Sequence, residues 1–324
     1  MHRDSSETLL TNWSATPTVQ TSKTLFPLTR NDESPYFIEL GTGDALHEPG
    51  KTLQFSFIHR EFDMRKLHRT LLGTLFAALA FGAATAHADA LEDISKAGVL
   101  KVAVPQDFPP FGSVGPDMKP RGLDIDTAQL LADKLAVKLE LTPVNSTNRI
   151  PFLTTGKVDL VISSLGKNPE REAVIDFSAA YAPFYLGVFG PEDAAIASLD
   201  DLSGKTISVT RGSIEDIELS NVAPKGANIK RFEDNNSTIA AYLSGQVELI
   251  ASGNVVMVAI SERNPKRVPS MKLKLKDSPV YVGVNKNQAA LLDKVNAIIA
   301  DAKTDGSLES LSQKWLKQPL PAGL

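Results

Sequence analysis

From residue 89 onward short apolar runs alternate with amphipathic stretches, and that alternation constrains the fold more than any other feature of the chain. Val99 to Val104, Leu139 to Val144, Leu160 to Ser163, Phe184 to Phe189, Thr206 to Thr210, Ile229 to Phe232, Leu249 to Ala251, Leu273 to Leu275 and Val280 to Val284 read as strands. Between them Ile125 to Leu135, Arg149 to Thr155, Pro169 to Val174, Glu215 to Leu219, Ser237 to Leu243, Val255 to Glu262, Gln288 to Thr304 and Leu308 to Leu316 read as helices. Strands that alternate with helices form an α/β fold, here with mainly parallel sheet, and its ligands sit beyond the carboxyl ends of the strands. The order strand, helix, strand, helix, strand occurs twice, which predicts two α/β lobes. Asp124, ahead of Ile125, Leu130, Leu131 and Leu135, reads as a helix cap. Asn168, before Pro169 and Glu170, reads as another.

Upstream of this region the chain changes character. From Met64 it runs MRKLHRTLLGTLFAALAFGAATAHADA, with Arg65, Lys66 and Arg69 as a positive start and Leu71 to Ala84 as an apolar stretch. Small residues at Ala86 and Ala88 complete the pattern of an export signal cleaved near Ala88. The apolar stretch is about 14 residues, short of the roughly 20 that span a bilayer. Residues 1 to 63 show no sustained periodicity and are interrupted by Pro17, Pro27, Pro35 and Pro49, so they are expected to form a non-structural upstream extension.

Removal of residues 1 to 88 would leave 236 residues carrying 26 Lys plus Arg against 29 Asp plus Glu, a net charge of −3. That balance lacks the basic footprint of a nucleic-acid binder. There is no Cys, and all five His precede residue 89. The remaining chain therefore has neither thiol nor imidazole, which excludes Ser-His-Asp and Cys-His catalysis, His or Cys zinc sites and disulfides. No cofactor and no metal site is expected.

Three blocks carry a family resemblance. VLKVAVPQDFPPFGSV, followed by RGLDIDTAQLLADKLAVKLEL, resembles the opening of the polar amino-acid branch of periplasmic solute-binding proteins that serve ABC importers. GKVDLVISSLGKNPEREAVIDFSAAY resembles that family's middle signature, and LDDLSGKTISVTRGSIEDIEL with SGQVELIASGNVV resembles its second lobe. With the helical end TDGSLESLSQKWL the resemblance spans about residues 91 to 317. It implies a type II periplasmic binding protein fold, two α/β lobes joined by two hinge strands, closing on a ligand between them. The first crossing is expected near Phe189 to Pro191 and the return near Pro279 to Val284. Lobe one would then be 89 to 189 plus 281 to 324, and lobe two 190 to 280.

The same resemblance implies a set of ligand-binding residues. Arg171 would clamp an α-carboxylate, as a planar guanidinium is shaped to do; read alone, it is an exposed helix Arg between Glu170 and Glu172. Ser163, Ser164 and Leu165 end a strand where the family places contacts to the ligand's amino and carboxylate groups. Gly166 departs from the usual Ser or Thr and leaves only backbone N–H. Phe108 would wall the ligand side chain; Phe111 is as readily a core residue, and Tyr181 is a weaker candidate. Gly212 and Ser213 open a helix whose free N–H groups suit a carboxylate. Arg211 between strand and helix adds cleft charge or points to solvent.

Two departures bear on the ligand. The family's lobe-two Asp, which pairs an ammonium, is Gly253 here, followed by Asn254; a further acid used for basic side chains is Pro105, with Asp107 on the same strand face two residues on. A basic amino acid is therefore disfavoured, while a neutral amino acid or a carboxylate without an ammonium fits. Asp234 and Asn235 are further, weaker cleft candidates. The resemblance implies a monomeric periplasmic receptor that hands an amino acid or related small carboxylate to an ABC permease in the inner membrane. The alternative is an enzyme on the same fold, since cyclohexadienyl and arogenate dehydratases are similar to these receptors, with Glu170, Glu172 or Asp107 as its acid.

Overall fold

The computed structural model describes residues 89 to 263 and 266 to 324. The expected extension at 1 to 63 and export signal at 64 to 88 lie outside the described residues. Helix α1 (Ala90–Ala97) opens the fold, although no helix is expected that early. Asp89 makes it: the carboxylate accepts from Leu91 N–H within the helix and from the N–H groups of Ala290 and Leu291, stapling the start to the C-terminal helices.

The first sheet then builds up through β1 (Val99–Val104), three short strands β2 (Asp107–Phe108), β3 (Gly112–Val114) and β4 (Pro120–Arg121) that pair among themselves, α2 (Leu123–Lys134), β5 (Lys138–Pro143), α3 (Arg149–Thr154), β6 (Leu160–Gly166), α4 (Pro169–Val174) and β7 (Ile175–Ala182). Every residue of β6 is buried, as a strand covered on both faces requires, whereas β5 at the sheet edge alternates between exposed and half-buried. Strand β7 is absent from the sequence reading because Ser178, Ala179 and Ala180 lack the branched or aromatic side chains that mark strands.

The second sheet follows: β8 (Tyr185–Gly190), β9 (Thr206–Thr210), α5 (Ile214–Val222), β10 (Asn228–Phe232), α6 (Asn235–Leu243), β11 (Leu249–Gly253), α7 (Asn254–Arg263) and β12 (Ser270–Asp277). The chain returns as β13 (Val280–Asn285) and ends in α8 (Ala289–Thr304) and α9 (Ser307–Leu316). The sheet orders are β5-β1-β6-β13-β7 and β10-β9-β11-β8-β12, so the twofold repeat expected from the sequence is real. The sheets are mixed rather than mainly parallel. β13 runs antiparallel to β6 and β7, and β8 runs antiparallel to β11 and β12, because each inserts where the chain changes lobe.

The first crossing lies earlier than expected. Tyr185–Gly190 pairs with β11 and β12 in the second sheet, so the chain passes over at Pro183 and Phe184 instead of Phe189 to Pro191. The return falls at Ser278 and Pro279, between β12 and β13. The two crossings hold each other: Ser278 N–H donates to the Phe184 carbonyl at 2.9 Å. A hydrophobic core runs from Leu100, Val102 and Leu131 through Phe111 and Phe184 to Tyr242 and Ile250, and a separate cluster of Ile207, Val209, Leu219 and Leu249 lies in the second lobe. No helix among the described residues is long and apolar enough to cross a membrane.

Asp124 departs from its expected role. Gly122 stands at the cap of α2, and Asp124 is turned inward and fully buried in the first turn. Asn168 does cap α4, its Oδ1 accepting from Arg171 N–H at 2.9 Å.

Candidate functional site

The strand ends of both lobes meet across one small cavity. β1 leads into Pro105 and Phe108, β6 contributes Ser163 and Ser164, and α3 contributes Arg149; from the other lobe come Ser213, Glu215 and Asn235.

Arg149 and Glu215 are the charged residues of that lining, and neither is in the set expected from the sequence. Arg149, the first residue of α3, is buried; its Nη1 donates to the Ser163 carbonyl and its Nε has no partner. Burial pulls the guanidinium below its ordinary range, opposed by the charges of Glu215 and Asp124. Glu215, in the first turn of α5, is buried as well. Burial raises its carboxyl, against its own backbone N–H, the Ser213 hydroxyl and the charges of Arg149 and Arg171. Both residues sit at the amphipathic start of a helix, where a charge ordinarily faces water, so spacing alone does not single them out.

Beneath the cavity Asp124 accepts from Tyr181 Oη at 2.6 Å and from Ser164 N–H at 2.7 Å. Burial raises its carboxyl to about 7, against those two hydrogen bonds and the charge of Arg149. Tyr181, fully buried, thus supports the cavity from behind. Ser164 has a left-handed backbone, φ 43°, which costs a non-glycine residue of order 1 kcal/mol, and its Oγ is buried without a partner.

The remaining expected residues divide. Arg171 is buried but outside the cavity lining, with Nη1 on the Gly166 carbonyl at 2.7 Å and Nη2 on the Gly212 carbonyl of the other lobe at 3.0 Å. Burial, then the charge of Arg149, lowers it to about 9. Ser213 caps α5, its hydroxyl accepting from Asp216 N–H, and Gly212 N–H donates to the Asp216 carboxylate. Asp107 spans the lobes too, accepting from Asn235 N–H at 2.8 Å and Asn235 Nδ2 at 3.0 Å. Asp234 caps α6 through Ser237 N–H. Arg211 points outward and pairs with Glu233.

Packing places two of the expected residues, Phe111 and Asn254, away from the cavity and bears on two more positions. The Leu165 side chain enters a core cluster with Ala103, Leu153 and Ile175, which leaves its backbone as the part that could serve a ligand. Phe111 is fully buried and stacks on Phe108, their centroids 5.9 Å apart, so only Phe108 lines the cavity. Asn254 accepts from Tyr185 N–H and faces a separate groove with Pro109, Pro110 and Trp315. At Gly166 a Cβ would lie 2.7 Å from Ser278 Oγ and 3.1 Å from Ile214, so a Ser or Thr there would press on the other lobe. Gly253 is closed more firmly, because a Cβ would lie 1.9 Å from Phe184 Cζ. Among the described residues no group of three or more His, Cys, Asp or Glu is placed to hold a metal ion.

Two mixed α/β lobes, joined by paired crossings and facing each other over a polar cavity, define a solute receptor of the type II periplasmic binding class. Residues 100 to 318 match the family model of bacterial extracellular solute-binding proteins, family 3, and the chain belongs to that family. It is 26% identical over 271 residues to the ABC transporter glutamine-binding protein GlnH of Bacillus subtilis, covering 79% of this chain and 98% of that protein. With the L-cystine-binding protein TcyJ of Escherichia coli it shares 26% identity over 253 residues, covering 76% and 94%. Among solved structures, a solute receptor for L-cysteine of Neisseria gonorrhoeae superposes with a TM-score of 0.66 at 30% identity, covering 70% of this chain and 93% of that one. The ancestral amino acid-binding protein AncCDT-1, a precursor of cyclohexadienyl dehydratase, gives a TM-score of 0.65 at 30% identity, covering 70% and 99%. The role of the chain is to bind a small solute.

Proposed function

We propose that this protein is the periplasmic solute-capturing component of an ABC importer, that its solute is an amino acid or related small carboxylate, and that it delivers the solute to a membrane permease. The observation that carries this reading is the cavity itself, lined from both lobes and holding a buried guanidinium with an unpartnered N–H. A carboxylate satisfies such a donor, and leaving it unmet costs about 1–3 kcal/mol. Closure is a shift between open and closed forms, which a solute favours by touching both lobes at once.

A thermal-shift screen against the twenty amino acids and small mono- and dicarboxylates tests this. Binding at one hundred times Kd should add about 2.7 kcal/mol of stability, and no shift with any of these compounds would overturn the reading. Arg171→Ala, which breaks the bridge to Gly212, is expected to weaken binding of whichever compound gives a shift by about 10-fold or more, the worth of one hydrogen bond from a charged group. Small-angle scattering of the liganded variant should show a larger radius of gyration than the wild type; an unchanged affinity would remove Arg171 from closure.

A second reading, a dehydratase-like enzyme, draws on the likeness to AncCDT-1 and on Glu215. Glu170 and Glu172 are exposed, Glu172 pairing with Lys167, and Asp107 is engaged by Asn235. Glu215 is the carboxyl that the cavity offers as a proton donor, and its raised pKa suits that task. Loss of prephenate or arogenate on incubation with the protein would favour this reading over the receptor.

A further inference from the structure

Resting on the receptor reading, we infer that the groove between α7 and the end of α9 controls closure: it lies across an aromatic fulcrum from the cavity, so bulk held in the groove draws the cavity shut.

The groove belongs to both lobes. Lobe one contributes Pro109, Pro110 and Trp315, and lobe two contributes Val255, Val258 and Ala259 from one face of α7. It offers about 480 Å³, room enough for an added aromatic ring. The i, i+3, i+4 spacing of the three α7 residues is that of a packing face. Yet α7 packs on β8 and β11 of its own lobe, and Val258 stays 58% exposed. Apolar surfaces from the two lobes thus face each other without interdigitating. A gap of that kind lets the lobes turn where close packing would resist.

The fulcrum is Phe184, in the first crossing. Its ring packs edge-on against Phe108, which lines the cavity, and against Phe111, and on its other side it abuts Gly253. From Phe108 the chain turns directly into Pro109 and Pro110, which line the groove. From Gly253 it turns into Asn254, which also lines the groove and accepts from Tyr185 N–H beside the same crossing. The second crossing is tied to this point through Ser278 N–H and the Phe184 carbonyl. In each lobe, then, the cavity wall and the groove wall meet at the aromatic cluster.

Two bodies that turn about a packed point part on one side as they approach on the other, so the groove widens as the cavity closes. A side chain that fills the groove is best accommodated when the groove is wide, and it favours the closed form. Apparent solute affinity rises with the populated fraction of that form, without any contact to the solute.

Energy transfer between the lobes of the full chain tests this. The chain has no Cys, so Glu140→Cys and Lys230→Cys, exposed on the outer edge strands β5 and β10, take a donor and an acceptor dye at those two positions alone. Arg171→Ala, which removes one bond between the lobes, supplies a background in which they part more readily. In that background, in buffer without solute, Val258→Trp should recover most of the transfer efficiency that Arg171→Ala loses. Ala259→Phe, on the same face of α7, should act likewise and replaces the Trp variant if that one lacks a melting transition. Unchanged efficiency in a folded variant would overturn the inference. Lower efficiency would overturn it too, since groove and cavity would then open on the same side. The readout uses no solute, so silence of the wild type in the thermal-shift screen would remove the receptor reading while the lever is judged separately.

Discussion

Asp124→Ala should cost the protein about 2–5 kcal/mol, since the Tyr181 hydroxyl and the Ser164 N–H would each lose its acceptor inside the core. Denaturant unfolding reads this directly, and a loss under 1 kcal/mol would mean that Tyr181 and Ser164 find other partners. The same carboxyl sets a pH dependence. Its pKa is about 7 in the folded protein and near the ordinary 3.8 when unfolded, so between those values the folded state binds the extra proton. The protonated group's contribution is therefore complete below about pH 4, declines as pH rises, and is gone above about pH 7. At about 1.4 kcal/mol per pKa unit the decline from this group is of the order of 4 kcal/mol. Glu215, also raised by burial, adds in the same direction. Asp124→Asn can keep both contacts, with Tyr181 accepting in place of donating, and should flatten this slope; an unflattened slope would assign it to other groups.

Gly253→Asp is expected to be the most damaging single change near the crossings. The new Cβ would meet Phe184 Cζ at 1.9 Å, and the ring has little room to retreat. It packs edge-on against Phe111 at 5.4 Å between centroids and against Phe108 at 6.3 Å. Overpacking of this kind costs about 1–3 kcal/mol, and a carboxylate buried against aromatic rings adds to it. Because Phe184 also accepts the hydrogen bond from Ser278 that couples the two crossings, the variant should lose ligand-induced stabilisation as well as stability. Shrinking the ring in Gly253→Asp/Phe184→Ala should recover part of both. If Gly253→Asp melts like wild type, the ring is free to move and the glycine is not required by packing.

Much of the molecule was legible before its structure. Nine strands and the helices from α2 onward follow from periodicity, because a buried strand such as Leu160–Gly166 and an amphipathic helix such as Ala289–Thr304 carry their burial in the spacing of apolar residues. The capping of α4 by Asn168 is equally local. Strand β7 and the position of the first crossing were not legible. Ala179 and Ala180 are held in the sheet by β13, and Tyr185–Gly190 is claimed by β11 and β12, partners distant in sequence.

The site divides along the same line. Taken alone, the residues from 89 onward determined an α/β chain of two similar halves, without thiol or imidazole chemistry, whose motifs match one receptor family. Which charges face the cavity was decided by tertiary structure. Arg149 and Glu215 look like solvent-facing residues in the first turns of their helices, and in the folded chain both are buried in the lining of one cavity. Arg171 and Asp107, the expected ligand contacts, reach across the same closure to backbone and side-chain groups of the other lobe. A charge's role depends on what removes its water, and the groups that do so here lie far away along the chain.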